Sequence, residues 1–442
     1  MRKKSLAFIS LALVLCLAFL IGCGPSEPEE PEKTKAQDET NADVAPEGDD
    51  KLEGELTFWV YEEQYKDGEN SPFRLYANQF QDENPGVTIE VIPISYGSSS
   101  YRDKYIQAAN GGSGPDVMQC DNIWVPQLAA MELIIPLSDM LGDKVDEFFN
   151  GTVDAATYEE EVYGIPFTAG SMVLFYNKDM FREAGLDPEA PPATWDEFRD
   201  ASLALKENGM DAFGLMGGWG GSFEWLPWFW QNGGEIVDEN GKVAFNSEEG
   251  MEATKFFLNL LTVDKVIPEA ALTWKSWDEL TVGFANESFA MCQGMSVLST
   301  GLERQGVDFE MGVSLLPGQK EEANTLGGSH LVINKNTKDQ ELAYAFLDFL
   351  TDKEQALDLC DQNGHIAARV DAEEQEIAKN DEVTQVFVKA LETARPRPII
   401  PEWTVIDYDC IQPAFMEVIF KGRDIDEAMA EAEVKAQAAL DE

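Results

Sequence analysis

GELTFWVY, residues Gly54–Tyr61, alternates with the two-residue period of a half-buried β-strand. Phe73 to Glu83 then reads as a helix, stopped by Asn84-Pro85-Gly86 because proline cannot continue a helix. VTIEVIPI (Val87–Ile94) is a second strand. Tyr101 to Asn110 is a short helix closed by Gly111-Gly112, and GPDVMQCD (Gly114–Asp121) enters a third strand. Strands that alternate with helices in this way predict an α/β fold with crossover connections.

The pattern continues downstream. Thr194 with Glu197 in TWDEF has the spacing of a capping box, as do Asn246 with Glu249 and Thr337 with Gln340. FGLMGG (Phe213–Gly218) predicts a strand. TLGGSHLVINKN (Thr325–Asn336) predicts another after a glycine turn. The final helix, about Asp426 to Leu440, is amphipathic. No solenoid repeat is present.

At the start, Arg2, Lys3 and Lys4 precede an apolar run from about Leu6 to Ile21, which ends in FLIGCGPSEPEE (Phe19–Glu30). The run is short for a spanning helix, which needs roughly 20 apolar residues. A basic start, an apolar centre and small residues at the break describe an export signal over residues 1–22. Leu20-Ile21-Gly22-Cys23 resembles a bacterial lipobox, which implies cleavage before Cys23 and a lipid on its thiol. The alternative is an uncleaved N-terminal anchor. Residues 23–50 are acidic, hold no large apolar residue beyond one valine and predict a solvated linker.

The 442 residues suffice for two domains, and 44% hydrophobic with 10% aromatic content marks a globular chain. Lys+Arg number 32 against Asp+Glu 82, a net charge of -50. Loss of Arg2, Lys3 and Lys4 lowers it by three, to -53. Such a surface repels nucleic acid, which excludes nucleic-acid binding. It suits either a saline habitat, where salt screens self-repulsion, or an acidic surface of no special environment. No C-x-x-C motif exists among the six cysteines. Cys360 and Cys410 could pair in an exported protein, or all four mature cysteines after Cys23 could be free buried thiols.

Catalytic punctuation is missing. No G-x-S-x-G, H-E-x-x-H or P-loop occurs, and His330 and His365 are the two histidines of the chain. Neither a cofactor nor a metal is indicated. Paired carboxylates of a glycosidase or lyase stay open, because carboxylates are abundant. The positive signal is aromatic residues beside turns. Trp59 and Tyr61 end the first strand, and Trp124 follows Asp121-Asn122. Trp219, Trp225, Trp228 and Trp230 lie in GGWGGSFEWLPWFWQNGG, Trp274 and Trp277 in TWKSWDEL, and Trp403 in PEWTVIDY. Flat aromatic faces suit sugar rings, and convergent polar groups suit hydroxyls. Against this, any one tryptophan serves the core more often than a site. Trp195, just after an N-cap, reads as packing.

Several of these stretches together resemble one family, the sugar-binding branch of the extracellular solute-binding proteins of ABC importers. VYGIPFTAGSMVLFYNKDMFREAGLDPEAPPATWDEF (Val162–Phe198) carries the most specific likeness. GPDVMQCDNIW with the later LIIPL, FANESFAM (Phe284–Met291), TLGGSHLVINKN and ARPRPIIPEW (Ala394–Trp403) follow in family order. The resemblance implies a periplasmic-binding-protein-like fold, with two α/β lobes joined by a multi-segment hinge and a ligand cleft between them. It implies crossings near Tyr163–Phe167, Gly327–His330 and Arg395–Trp403. Lobe 1 would hold 51–165 and 328–395, and lobe 2 would hold 166–327 and 396–442.

The same resemblance implies ligand-binding residues. Tyr61 and Glu62, beside Trp59, follow the first strand. Asp121 would accept hydroxyl hydrogen bonds, and Trp124 would wall the cleft. Trp219, Glu224, Trp228 and Trp274 would come from the other lobe. Ser329 and His330 stand where the family often shows an aromatic, so His330 is either a polar sugar contact or a satisfied hinge residue. Trp403 completes the set. Arg395 and Arg397 belong to a family structural motif. The implied protein is a non-enzymatic monomeric receptor, held to the membrane by a lipid on Cys23. It would deliver a mono- or oligosaccharide to ABC transporter permease subunits. A polyol, a peptide or another solute is the alternative ligand.

Overall fold

A computed structural model describes residues 52–65, 68–96, 100–219 and 221–441. The export signal, Cys23 and the whole acidic linker lie outside the described residues. Two sheets organise the rest.

The first sheet has six strands: β1 (Glu53–Tyr61), β2 (Gly86–Ile94), β3 (Val117–Asp121), β4 (Ile165–Gly170), β9 (Gly327–Ile333) and β10 (Ile366–Ala367), in the order β10-β4-β9-β3-β1-β2. β1 pairs in parallel with β2 and with β3, as crossover helices require. α1 (Pro72–Glu83) makes the first crossover and α2 (Ser100–Asn110) the second. Phe58 of β1 packs edge-on against Phe73 of α1 and Phe346, and these three rings are almost fully buried. Edge-on aromatic pairs add to the burial term.

The second sheet holds β5 (Val173–Asn177), β6 (Phe213–Gly214), β7 (Met291–Gly294) and β8 (Met311–Ser314), in the order β8-β5-β7-β6. α3 (Trp195–Glu207) and α4 (Ser222–Gln231) belong to its surroundings. Thr194 and Glu197 form the expected capping box at the start of α3. The other two expected boxes are different caps. Ser247, not Asn246, accepts the amide of Gly250, because Asn246 donates to Met429 O and Glu433. Asp339 accepts the amide of Leu342, while Thr337 donates to Asp116 O. FGLMGG contributes only a two-residue strand, after which Gly217–Trp219 makes a single helical turn. Trp195 packs as read, stacked on Phe256 with its Nε1 donating to Gln231 at 2.8 Å.

The chain exchanges sheets at Ser171–Met172, since β4 stays in the first sheet up to Gly170. A second exchange follows Asn324–Thr325, which pairs with Ala394–Arg395 of the third. Asn324 ties two of these passages together: its Nδ2 donates to Met172 O at 2.7 Å and its Oδ1 accepts the Met172 amide at 3.1 Å. At the same junction Gly328 has φ +124°, and a Cβ there would meet Thr168 O at 2.0 Å. Only glycine fits such a position. Cys120, Cys292, Cys360 and Cys410 are free and buried. Among the described residues no helix is long and apolar enough to cross a membrane.

Candidate ligand site

In an open α/β sheet, ligands bind beyond the carboxyl ends of strands where the strand order changes direction. Here β1 leads to β2 on one side and β3 lies on the other, so that point is the gap between β1 and β3. Tyr61 ends β1 and Asp121 ends β3.

Asp121 is the centre of a polar cluster. Its Oδ1 accepts the amide of Ile123 at 3.2 Å, capping the turn Asn122–Trp124, and accepts Arg397 at 2.9 Å. Its Oδ2 accepts the phenol of Tyr96 at 2.7 Å. Arg397 also donates to Asn122 Oδ1, and its guanidinium lies over the ring of Phe223, 5.1 Å from the centroid. The Arg397 and Asp121 side chains are only 10% and 14% exposed, so solvent screens their pairing weakly. One arginine thus joins the end of β3 to α4 on the other side of the junction.

An aromatic wall stands beside these charges. Tyr96 stacks on Trp124, with centroids 5.4 Å apart and planes 19° apart. Tyr101 stacks on the same indole, and Tyr61 meets Tyr96 and Tyr101 edge-on. Trp59 is half-buried against Tyr101. Burial, followed by the charge of Asp121, pushes the Tyr61 and Tyr96 phenols above their ordinary range. Both stay protonated donors at any physiological pH. Tyr61 OH, Trp124 Nε1, Arg397 Nε, Trp403 Nε1 and Thr404 Oγ1 are buried without a hydrogen-bond partner among the described residues. Such atoms are costly unless something satisfies them.

The expected residues divide by position. Trp59, Tyr61, Asp121 and Trp124 come together at the strand ends. Ser329 joins them through Gln119, whose Nε2 donates to Ser329 Oγ at 3.1 Å and whose Oε1 accepts the Tyr61 amide at 3.3 Å. Trp403 is buried in the turn that packs on Asn122–Trp124. Glu62 is exposed beside the wall. His330 is buried with Nε2 on Thr152 O at 2.8 Å, and burial lowers its pKa to about 4, so it is neutral. Glu224, Trp228 and Trp274 sit elsewhere. Glu224 is buried and accepts the Met216 amide at 2.9 Å. Trp228 Nε1 donates to Gln293 at 2.9 Å. Trp274 packs on Phe289, and its ring fills the space beside Gly283. For Trp219 only the backbone is described. No group of His, Cys, Asp and Glu able to hold a metal occurs among the described residues.

Tyr96, Arg397, Phe223, Asp407 and Tyr408 were not nominated by the sequence. Arg397 belongs to ARPRPIIPEW, for which the resemblance implies a structural role, and Asp407 and Tyr408 lie in PEWTVIDY beyond its tryptophan.

Comparison with known proteins bears on this arrangement. The family described as bacterial extracellular solute-binding protein matches residues 66–357. The arabinooligosaccharide-binding protein of Halalkalibacterium halodurans is 26% identical over 322 residues, which is 70% of each chain. The sn-glycerol-3-phosphate-binding periplasmic protein UgpB of Escherichia coli (strain K12) is 27% identical over 313 residues, 66% of this chain and 69% of that one. An ABC transporter solute-binding protein of Thermotoga lettingae, solved with α-D-tagatose bound, superposes with a TM-score of 0.76 at 25% identity. That match covers 87% of this chain and 99% of the other. The α/β fold with two lobes is therefore periplasmic-binding-protein-like.

Proposed function

The chain belongs to the family of bacterial extracellular solute-binding proteins, and on that premise we propose that it captures a carbohydrate between its lobes and passes it to an ABC permease. It acts as a monomer without turnover, anchored outside the cytoplasm by a lipid on Cys23. The observation that supports the carbohydrate best is the cluster at the ends of β1 and β3. Asp121, Tyr61 and Trp124 set a hydroxyl acceptor, a phenol and a flat indole side by side, and buried polar atoms there lack partners. Sugars supply an apolar ring face and hydroxyls that both donate and accept.

Capture follows from geometry. Asp121 and Asn122 come from the first lobe and Phe223 from the second, with Arg397 between them. A ligand that satisfies groups of both lobes favours the closed arrangement by its differential affinity. The exchange segments near Ser171–Met172, Thr325–Gly327 and Ala394–Arg397 form the hinge in this reading.

Tryptophan fluorescence of the mature chain, titrated with mono- and oligosaccharides, tests the proposal. A saturable change with one sugar class, and intact sugar recovered afterwards, is the expected result. Released product would turn the reading to a glycosidase. Silence toward every sugar from folded protein would end the carbohydrate reading and leave polyols or peptides.

A further inference from the structure

One carboxylate near the site has no cation bonded to it among the described residues. Asp407 is buried in a π-helical turn, Ile406–Ile411. Its carboxylate is bonded by the hydroxyl of Ser222, the first residue of α4, and by Gln412 Nε2 at 3.3 Å. Arg397 and Tyr408 are the charged and titratable groups that face it. Neither forms an ion pair with it among the described residues. Burial, opposed by Ser222, Arg397 and Gln412, raises its pKa to about 6.

Two physical points make this more than packing. A buried carboxylate without a bonded cation costs stability. A π-turn is rare and widens the helix at one residue, often where a functional group must be aimed. The same short stretch also holds Trp403 Nε1 and Thr404 Oγ1, both buried and unpartnered among the described residues. With Tyr61 OH, Trp124 Nε1 and Arg397 Nε, the neighbourhood offers donors and hydroxyls as well as carboxylate acceptors. An anion entering here would find the guanidinium already held by Asp121 and a second carboxylate within range. A neutral polyhydroxy compound meets no such conflict.

We propose that Asp407 is a second ligand-binding carboxylate, which with Asp121 flanks Arg397 and selects an uncharged polyhydroxy ligand over an anionic one. This rests on the receptor reading above and specifies its ligand.

The test uses the mature chain from Cys23, kept in detergent, with calorimetric titration. Neutral probes are D-tagatose, maltose and arabino-oligosaccharides, and anionic probes are sn-glycerol 3-phosphate and glucose 6-phosphate. A neutral probe should bind at least tenfold more tightly than either anion. Its affinity should rise several-fold from pH 5 to pH 7.5, because the ionised acceptor makes the stronger hydrogen bond. Asp407→Ala should weaken binding at least tenfold, and Asp407→Asn should flatten the pH profile. If the wild type binds a neutral probe while Asp407→Asn keeps both affinity and profile, the inference fails and the receptor reading stands. Equal or tighter binding of an anionic probe also overturns it. If no neutral probe binds, the inference falls together with the carbohydrate reading, and the receptor reading passes to polyols or peptides. Should neither variant fold, the wild-type profile decides, and a flat one between pH 5 and 7.5 overturns the proposal.

Discussion

The helix α4 and the turn that carries Trp403 to Tyr408 both looked like site material, and they use their residues in opposite ways. α4 holds three tryptophans, Trp225, Trp228 and Trp230, and every residue but Phe223 is buried. Its indoles are satisfied or packed: Trp225 Nε1 donates to Thr254, Trp228 Nε1 to Gln293, and Arg395 lies over Trp230. The turn holds a single tryptophan, yet among the described residues its polar atoms Trp403 Nε1 and Thr404 Oγ1 have no partner and Asp407 has no bonded cation. The density of aromatics therefore marks a core, and unsatisfied polar atoms mark a place where a ligand could complete the bonding.

The strongest way to break that contrast is to empty the helix. Trp228→Ala removes a fully buried indole and leaves Gln293 Oε1 without its donor. Loss of about 3–5 kcal/mol is expected in denaturant unfolding, with the affinity of the remaining folded protein changed less than twofold. A large affinity loss at unchanged stability would put α4's interior in the site.

Asp121→Ala is the opposite case. It removes the carboxylate from a largely buried Arg397 and the acceptor from Tyr96. Asn122 and Phe223 still hold the guanidinium, so the stability loss should be about 2–3 kcal/mol. Ligand binding, followed by fluorescence, should vanish. Binding retained within threefold would remove Asp121 from the site.

Asp407→Asn sharpens the contrast through pH. The folded-state value of about 6 lies above the ordinary 3.8, so the native state holds the proton more tightly than the unfolded chain. Wild-type stability from this group falls as pH rises from about 4 to about 6 and is level above that. Asparagine carries no such penalty. The variant should match the wild type below pH 4 and be more stable above pH 6, by on the order of 2 kcal/mol. Thermal melts in high salt check this, since salt screens the acidic surface but not a buried group. A variant less stable than the wild type at pH 7.5 would make Asp407 a structural acid.

The sequence carried the strand–helix–strand succession of the first crossover because alternation and Asn84-Pro85-Gly86 are local signals. The same holds for the cap at Thr194. It missed the caps at Ser247 and Asp339 because side chains there had distant alternatives: Asn246 reaches Met429 O and Thr337 reaches Asp116 O. Asp121 and Trp124 were readable because they follow a strand end directly. Arg397 was not, since its meaning depends on partners 276 and 275 residues away. Glu224 and Trp228 sat among glycines like loop residues, but the segment folds as a helix buried on all sides, where polar tips bond inward instead of toward a cleft.

The smallest effect tests where the two regions meet. Ser222 and Phe223 are the residues of α4 that reach the site: the hydroxyl bonds Asp407 and the ring lies under Arg397. Ser222→Ala deletes one hydrogen bond to the carboxylate while keeping the helix packed, at a cost of about 1 kcal/mol. Because that bond favours the ionised form, its loss should move the titration of Asp407 still higher, visible as a shift of the pH profile of ligand affinity toward alkaline pH. Affinity at pH 7.5 should fall only a few-fold. A profile that stays in place while stability drops would confine Ser222 to the helix. A shifted profile would tie the first turn of an otherwise buried helix to the chemistry of the cleft.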